Sequence, residues 1–368
     1  MRSFIIFLLA HLSFCAFGVE PNFVEAYLMV AEPGGELYSC AGHTALRLKC
    51  DTHKLDYCYS YESEMVSERV LTFLSGNLKM GMFAVPTQTY LSFYRDDRRG
   101  VRQYPLNLPI EVKRQLWKVM DGKISEGVTL PYDYLERGCA QSVLNSLKEA
   151  ARPLTIDFGK WPAKFGEKTR RELFYESLND FPWNRFFALT IGGTEVDEEV
   201  SKYRKVIIPN DLLEVLRNAK VAGEFIITEA GEEMVAGGEA RGGGAWFSPM
   251  VASGIILAFA FLGMLRKGGG IFRGILYALY AAYAIFYTYL VFLSSLPATS
   301  WHWNIIPFNI LPIVLWKWRE KWRLFYAGIS VAWMVGMAVY PHLLIDGAYY
   351  ILVSAYVVLA CTIRGGKA

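Results

Sequence analysis

Histidine is scarce in this sequence: five among 368 residues, of which only His43 and His53 fall in the polar stretch 19–245. Cysteine is scarce as well, six in all, and no two stand at the short paired spacing of a zinc site. These shortages leave no convincing metal set, and no cofactor is expected. No glycine-rich loop suited to cradling phosphate occurs; Gly268-Gly269-Gly270 sits in a basic gap between apolar runs. The net charge of +3 is too small for a nucleic-acid binder, and no basic stripe interleaved with aromatics supports one. Nucleic acid is therefore excluded as a partner.

What the chain does have is apolar sequence, unevenly spread. Hydrophobic residues make up 53%, and mean hydropathy is +0.22, above the usual range of a soluble domain. Residues 19–245 are rich in charge and aromatics, whereas 246–368 hold long apolar runs broken by short charged gaps. The first eighteen residues read as a signal peptide: Arg2, an apolar stretch from Phe4 to Phe14, then small residues at Ala16-Phe17-Gly18. Cys15 raises a lipoprotein signal as the rival, but the bulky Phe14 before it argues against lipidation. The chain thus divides into a signal at 1–18, an exported domain at 19–235, a glycine-rich linker at 236–245 expected to be flexible, and a transmembrane part at 246–368.

Apolar segments run at about 247–265, 271–295, 303–316, 324–340 and 343–363. A helix needs roughly 20 residues to cross a bilayer core. The third segment is short and holds Pro307 and Pro312, so a broken or re-entrant helix competes with a span there. Basic residues cluster at 266–273, 317–323 and 364–367, whereas the loops 296–302 and 341–342 contain no Lys or Arg. Basic loops stay inside. Five spans then put residues 19–245 outside and the C-terminus in the cytoplasm, in agreement with the signal peptide. Tryptophans 301, 303, 316, 318 and 322 read as an interfacial belt. His302, Asn304 and Asn309 near the outer face are either functional polar groups or capping groups around the two prolines.

Two stretches carry the chemistry. In the first, Gly42-His43-Thr44-Ala45-Leu46-Arg47-Leu48 alternates as a strand, with His43, Ala45 and Arg47 on one face and Thr44, Leu46 and Leu48 on the other. In the second, Val143, Leu144, Leu147 and Ala151 recur at helical spacing, so that Cys139 opens a helix after Gly138. A thiol at a helix N-terminus feels the positive end of the dipole, which favours the thiolate. The free N–H groups there can also hold an oxyanion. Cys40 stands in a loop before a strand, without that help. Cys50 and Cys58 flank a polar turn and either staple a hairpin or fill space in two strands.

The Gly42-His43-Thr44 strand, the Tyr59-Ser60-Tyr61 strand and Arg99-Gly100-Val101 before Leu106-Asn107-Leu108 resemble the Lnb-type lipoprotein N-acyltransferase periplasmic domain. The aromatic run before Cys139, Pro182-Trp183 with Ile191-Gly192-Gly193, and Val206-Ile207-Ile208-Pro209 extend the resemblance over about 23–230. It implies an α+β exported domain with a circularly permuted papain-like cysteine fold, followed by an all-α transmembrane bundle of about five helices. It also implies a bacterial inner-membrane enzyme that moves a fatty acyl group from a phospholipid donor onto the N-terminal cysteine of a lipoprotein acceptor. By position, Cys139 is the nucleophile and His43 the general base. The imidazole needs an orienting partner; Tyr59 in the Tyr-x-Tyr motif is the expected one, with Glu62 second. Gly138 and Glu62 depart from the family pattern, which has Asn and Gly there. Two readings from other classes remain: a cysteine amidase or peptidase acting on cell-wall peptides, and a non-enzymatic envelope binding module.

Overall fold

The computed structural model describes residues 24–64, 68–127, 129–238, 246–315, 319–340 and 345–362. The signal peptide, most of the glycine-rich linker, Trp316 and Trp318 lie outside the described residues. The N-terminal part is built on strands β1 (Glu25–Ala31), β2 (His43–Cys50), β3 (Leu55–Ser63), β4 (Lys79–Pro86), β5 (Val101–Pro105), β6 (Thr129–Pro131) and β10 (Glu232–Val235). They form one antiparallel sheet in the order β10-β5-β1-β2-β3-β4-β6. Strands β7 (Ile156–Asp157), β8 (Lys220–Val221) and β9 (Glu224–Phe225) make a small second sheet. The part is therefore α+β.

Alternation along the strands separates two cores. Helices α1 (Val70–Leu74), α2 (Thr87–Asp96), α3 (Ile110–Ser125) and α4 (Cys139–Ala150) come first, followed by α5 (Lys164–Glu167), α6 (Arg170–Ser177), α7 (Pro182–Ile191) and α8 (Pro209–Asn218). Leu46, Leu48 and Tyr59 pack with α3, α4 and α8 on one face of the sheet. Ala45, Cys58 and Met29 pack with Tyr90, Leu91 and Tyr94 of α2 on the other. In α4, Val143, Leu144 and Leu147 are buried; each such side chain contributes about 1.5–3 kcal/mol of burial. Cys50 and Cys58 are free and buried. Cys50 pairs with Leu55 and Cys58 with Arg47, so the register sets the two thiols three positions apart along the ladder, and they fill space in the strands.

The C-terminal part has helices α9 (Pro249–Leu262), α10 (Gly269–Phe292), α11 (Leu311–Val314), α12 (Arg319–Val339) and α13 (Ala348–Thr362). Among the described residues two helices, Gly269–Phe292 and Lys321–Val339, are long and apolar enough to cross a membrane. Pro249–Leu262 and Ala348–Cys361 are shorter apolar helices. The third apolar segment is broken, with a 3-10 turn at Trp303–Ile305 and one short turn at α11. Pro307 and Pro312 each remove an N–H and stop a helix from running through from the N-terminal side, Pro312 standing in the first turn of α11. The segment runs along α10: Asn304 Nδ2 donates to Tyr287 Oη at 2.9 Å, and Tyr280 Oη donates to the Asn309 carbonyl at 3.0 Å. Protein groups thus satisfy part of this irregular backbone, and Phe308 and Asn304 are buried.

The two parts pack directly on each other. One apolar core runs from Phe73, Leu135 and Ile191 into Tyr287, Leu296 and Tyr349. Ser294 Oγ donates to the Leu74 carbonyl at 2.5 Å and Ser295 Oγ to the Ser75 carbonyl at 2.6 Å, which ties α1 to the end of α10. His302 Nε2 donates to the Ile191 carbonyl at 2.6 Å, and the N–H groups of Gly193 and Thr194 donate to the Ala298 and Trp301 carbonyls. His302 and Asn304, polar residues in an apolar segment, thus serve the joint between the parts and the packing of the broken segment.

Candidate functional site

The site begins at a glycine. Gly42 has φ +85°, and a Cβ there would lie 2.7 Å from the Ala31 carbonyl oxygen, so only glycine turns the chain tightly into β2. His43 follows at once, on the α2 side of the sheet. Because Ala45 pairs with Ser60, residues 43, 45, 60 and 62 share that side. His43 Nε2 lies 2.7 Å from Ser60 Oγ and 3.2 Å from Glu62 Oε1, while Ser60 Oγ donates to Glu62 Oε1 at 2.5 Å. With Nε2 so engaged, Nδ1 is the ring nitrogen left for another partner.

Cys139 lies close enough for its thiol and the imidazole each to shift the other. Gly138 stands at the N-cap with an extended backbone (φ −66°, ψ 168°) that any residue can adopt, and Cys139 is the first residue of α4. Burial works against ionisation of its thiol. The charge and hydrogen bond of His43 and the Thr44 backbone and hydroxyl outweigh it, so the thiol is held below its ordinary value. The buried Thr44 Oγ1 has no hydrogen-bond partner among the described residues. For His43, burial likewise opposes the charged form, but the Glu62 carboxylate, Tyr94 and Cys139 raise its pKa well above 6.5. Glu62 is held low against its own enclosure by His43, Ser60 and Arg99. Its side chain is 48% exposed, so water screens part of this pairing. Cys139, His43 and Glu62 thus lie together, with the thiol and the imidazole shifted in the directions that favour their charged forms.

Tyr59 is not in it. Odd positions of β3 face the opposite core, and the Tyr59 hydroxyl donates to Asp121 Oδ1 of α3 at 2.5 Å. The orienting groups at His43 are Ser60 and Glu62. Ser60 was overlooked although the signal was present: if Tyr59 and Tyr61 face the core, the residue between them must share His43's face.

Cys139 opens onto a cavity of about 120 Å³. Leu37, Phe73, Tyr134, Phe174, Phe187 and Ile191 line it, with Tyr134 edge-on to Phe174 at 5.5 Å between ring centroids. Cys40 also lines it, but burial pushes that thiol up to about 12, and its Sγ donates to the Leu37 carbonyl at 3.0 Å. The two thiols of one cavity therefore differ in opposite directions.

Residues 17–171 match the Lnb N-terminal periplasmic domain family. The chain carries an Lnb domain. His43, Ser60, Glu62 and Cys139 all fall inside the matched span, as does the wall residue Phe73. The match ends within α6, short of the 23–230 covered by the sequence resemblance, so α7 and α8 lie beyond it. No curated protein and no solved structure matches the chain. The Lnb domain here combines its sheet-borne histidine and helix-borne cysteine with an apolar cavity seated on apolar helices.

Proposed function

We propose that this protein is an envelope acyltransferase of the bacterial inner membrane, with the Lnb domain in the periplasm and the C-terminus in the cytoplasm. The observation that carries the reading is the position of Cys139, with His43 beside it, in the wall of an apolar cavity resting on the apolar helices. A peptide-cleaving enzyme has no need of either the apolar lining or the helices beneath it. On this reading the broken segment crosses between α10 and α12, which makes five crossings with the third only partly helical. The domain relates to papain-type enzymes by the order histidine before cysteine, a circular permutation.

The donor is a phospholipid and the acceptor the N-terminal amine of a lipoprotein. The Cys139 thiolate attacks the ester carbonyl carbon of the donor, and N–H groups of the first turn of α4 face the oxygen that gains charge. The C–O bond breaks and the glyceryl oxygen leaves with the proton from His43, giving a thioester and a lysolipid. The neutral amine then attacks the thioester carbonyl, His43 takes its proton, and the C–S bond breaks to release the amide and the thiolate. Ser60 and Glu62 hold the imidazole throughout. Full-length protein incubated with acyl-labelled phospholipid tests this: a labelled thioester on Cys139 that an N-terminal cysteine peptide discharges is expected. Cleavage of a cell-wall peptide without any thioester from lipid would overturn it in favour of a hydrolase.

A further inference from the structure

Helix α7 supplies Phe187, Ala188 and Ile191 to the Cys139 cavity, and it also makes a series of contacts with the C-terminal part. Trp183 Nε1 donates to the Phe247 carbonyl at 2.7 Å, and Arg185 Nε lies 3.4 Å from Asp346 Oδ2. Phe186 stacks on Tyr349 with centroids 4.9 Å apart and planes 14° apart. Thr190 Oγ1 is hydrogen-bonded to the Tyr349 hydroxyl, which in turn lies 2.8 Å from Tyr287 Oη. Beyond the helix end come the His302 bond to Ile191 and the paired N–H groups of Gly193 and Thr194. The wall that faces Cys139 is therefore held from behind, turn by turn, and Tyr349 of α13 touches two successive turns of it.

We infer that Tyr349 is a positioning residue for the Cys139 cavity: through Phe186 and Thr190 it holds the α7 wall open and so sets how much apolar chain the cavity admits. The inference rests on the reading that this cavity receives the acyl chain. An apolar cavity stays empty only where its walls cannot relax into it. The Tyr349 ring supplies the stacking surface, and its hydroxyl, buried with Thr190 and Tyr287, fixes the rotation of α7 about its axis, because an unmatched buried hydroxyl is strongly disfavoured. Rotation of α7 moves Phe187 and Ile191 together, since both lie on one face of the helix, roughly a quarter-turn from the clamp residues. The helices of the C-terminal part thereby take part in substrate selection by a site that none of them reaches.

Two thiol reagents separate this role from reactivity. Iodoacetamide is small and reports the thiolate; an N-dodecyl maleimide reports the thiolate and the room beside it. Both are applied to the full-length protein in detergent, and modification of the Cys139 peptide is followed by mass spectrometry. Tyr349→Phe keeps the ring and is expected to lower the long-to-short rate ratio roughly fivefold, the scale of one lost hydrogen bond. Tyr349→Leu loses ring and hydroxyl and should lower it further, by tenfold or more, on the order of what small misplacements cost. The iodoacetamide rate should stay at the parent value in both. An unchanged ratio in Tyr349→Leu, or equal loss of both rates, overturns the positioning role. Failure of iodoacetamide to modify Cys139 in the parent protein instead sinks the nucleophile assignment itself, and the positioning role with it.

Discussion

Glu62 Oε1 lies 3.2 Å from His43 Nε2, a distance set by strand parity: both side chains leave the same face of neighbouring strands. The carboxylate is the largest influence that raises the imidazole pKa. It stands at a position where the family resemblance leads one to expect glycine.

Glu62→Gln should therefore lower the folded-state pKa of His43. A raised histidine pKa contributes stability that is fully present below about 6.5 and is lost as pH rises through the folded value. The alkaline limb of the activity profile depends on the same proton and should move to lower pH in Glu62→Gln. Tyr59→Phe should leave that limb in place and cost about 1 kcal/mol of stability, through the lost bond to Asp121. A pH–rate profile of both variants checks this; a shifted limb in Tyr59→Phe with none in Glu62→Gln would contradict it.

The thiols give a second test. Cys139→Ser should remain folded but form no acyl intermediate, because a serine hydroxyl is far less ionised than a thiol near neutral pH. Cys40→Ala should stay active, since burial keeps that thiol protonated. Complementation of lipoprotein N-acylation, with protein levels measured, reads both. Normal N-acylation by a well-expressed Cys139→Ala protein would remove the mechanism.

His43→Ala should reduce turnover by about 10²–10⁴-fold, the usual contribution of a positioned general base. It should also move the pH midpoint of iodoacetamide reaction at Cys139 upward. Burial alone raises that thiol, and His43 is the main influence that lowers it. A midpoint unchanged by His43→Ala would mean that the helix start, and not the imidazole, sets the thiol.

Reporter fusions test the crossing of the broken segment. Position 150 should report outside, and 266–273, 317–323 and the C-terminus inside. A C-terminus outside would mean that residues 303–315 return to the face they left.

Much of this was legible in the chain. Alternation placed His43 on the face of Ala45, and helical spacing placed Cys139 at a helix start, because both periods are local properties of the backbone. The prolines at 307 and 312 announced a break for the same reason. The choice of Tyr59 over Glu62 failed on a question of which face is which, since a motif match carries no direction. The pairing Ala45 with Ser60 resolves it.

Periodicity, charge placement and side-chain chemistry by themselves determined the helix-start cysteine, the strand-start histidine and the apolar C-terminal third, each from residues a few positions apart. Tertiary structure alone decided that Cys139 meets His43, that Glu62 and not Tyr59 stands behind the imidazole, and that Tyr349 grips the wall of the cavity. Those contacts join residues about a hundred or more positions apart in two of the three cases. They arise from the closing of the sheet and the docking of α7 on α13. No local pattern encodes such a meeting, because it depends on the summed burial of two cores and not on the propensity of any one segment.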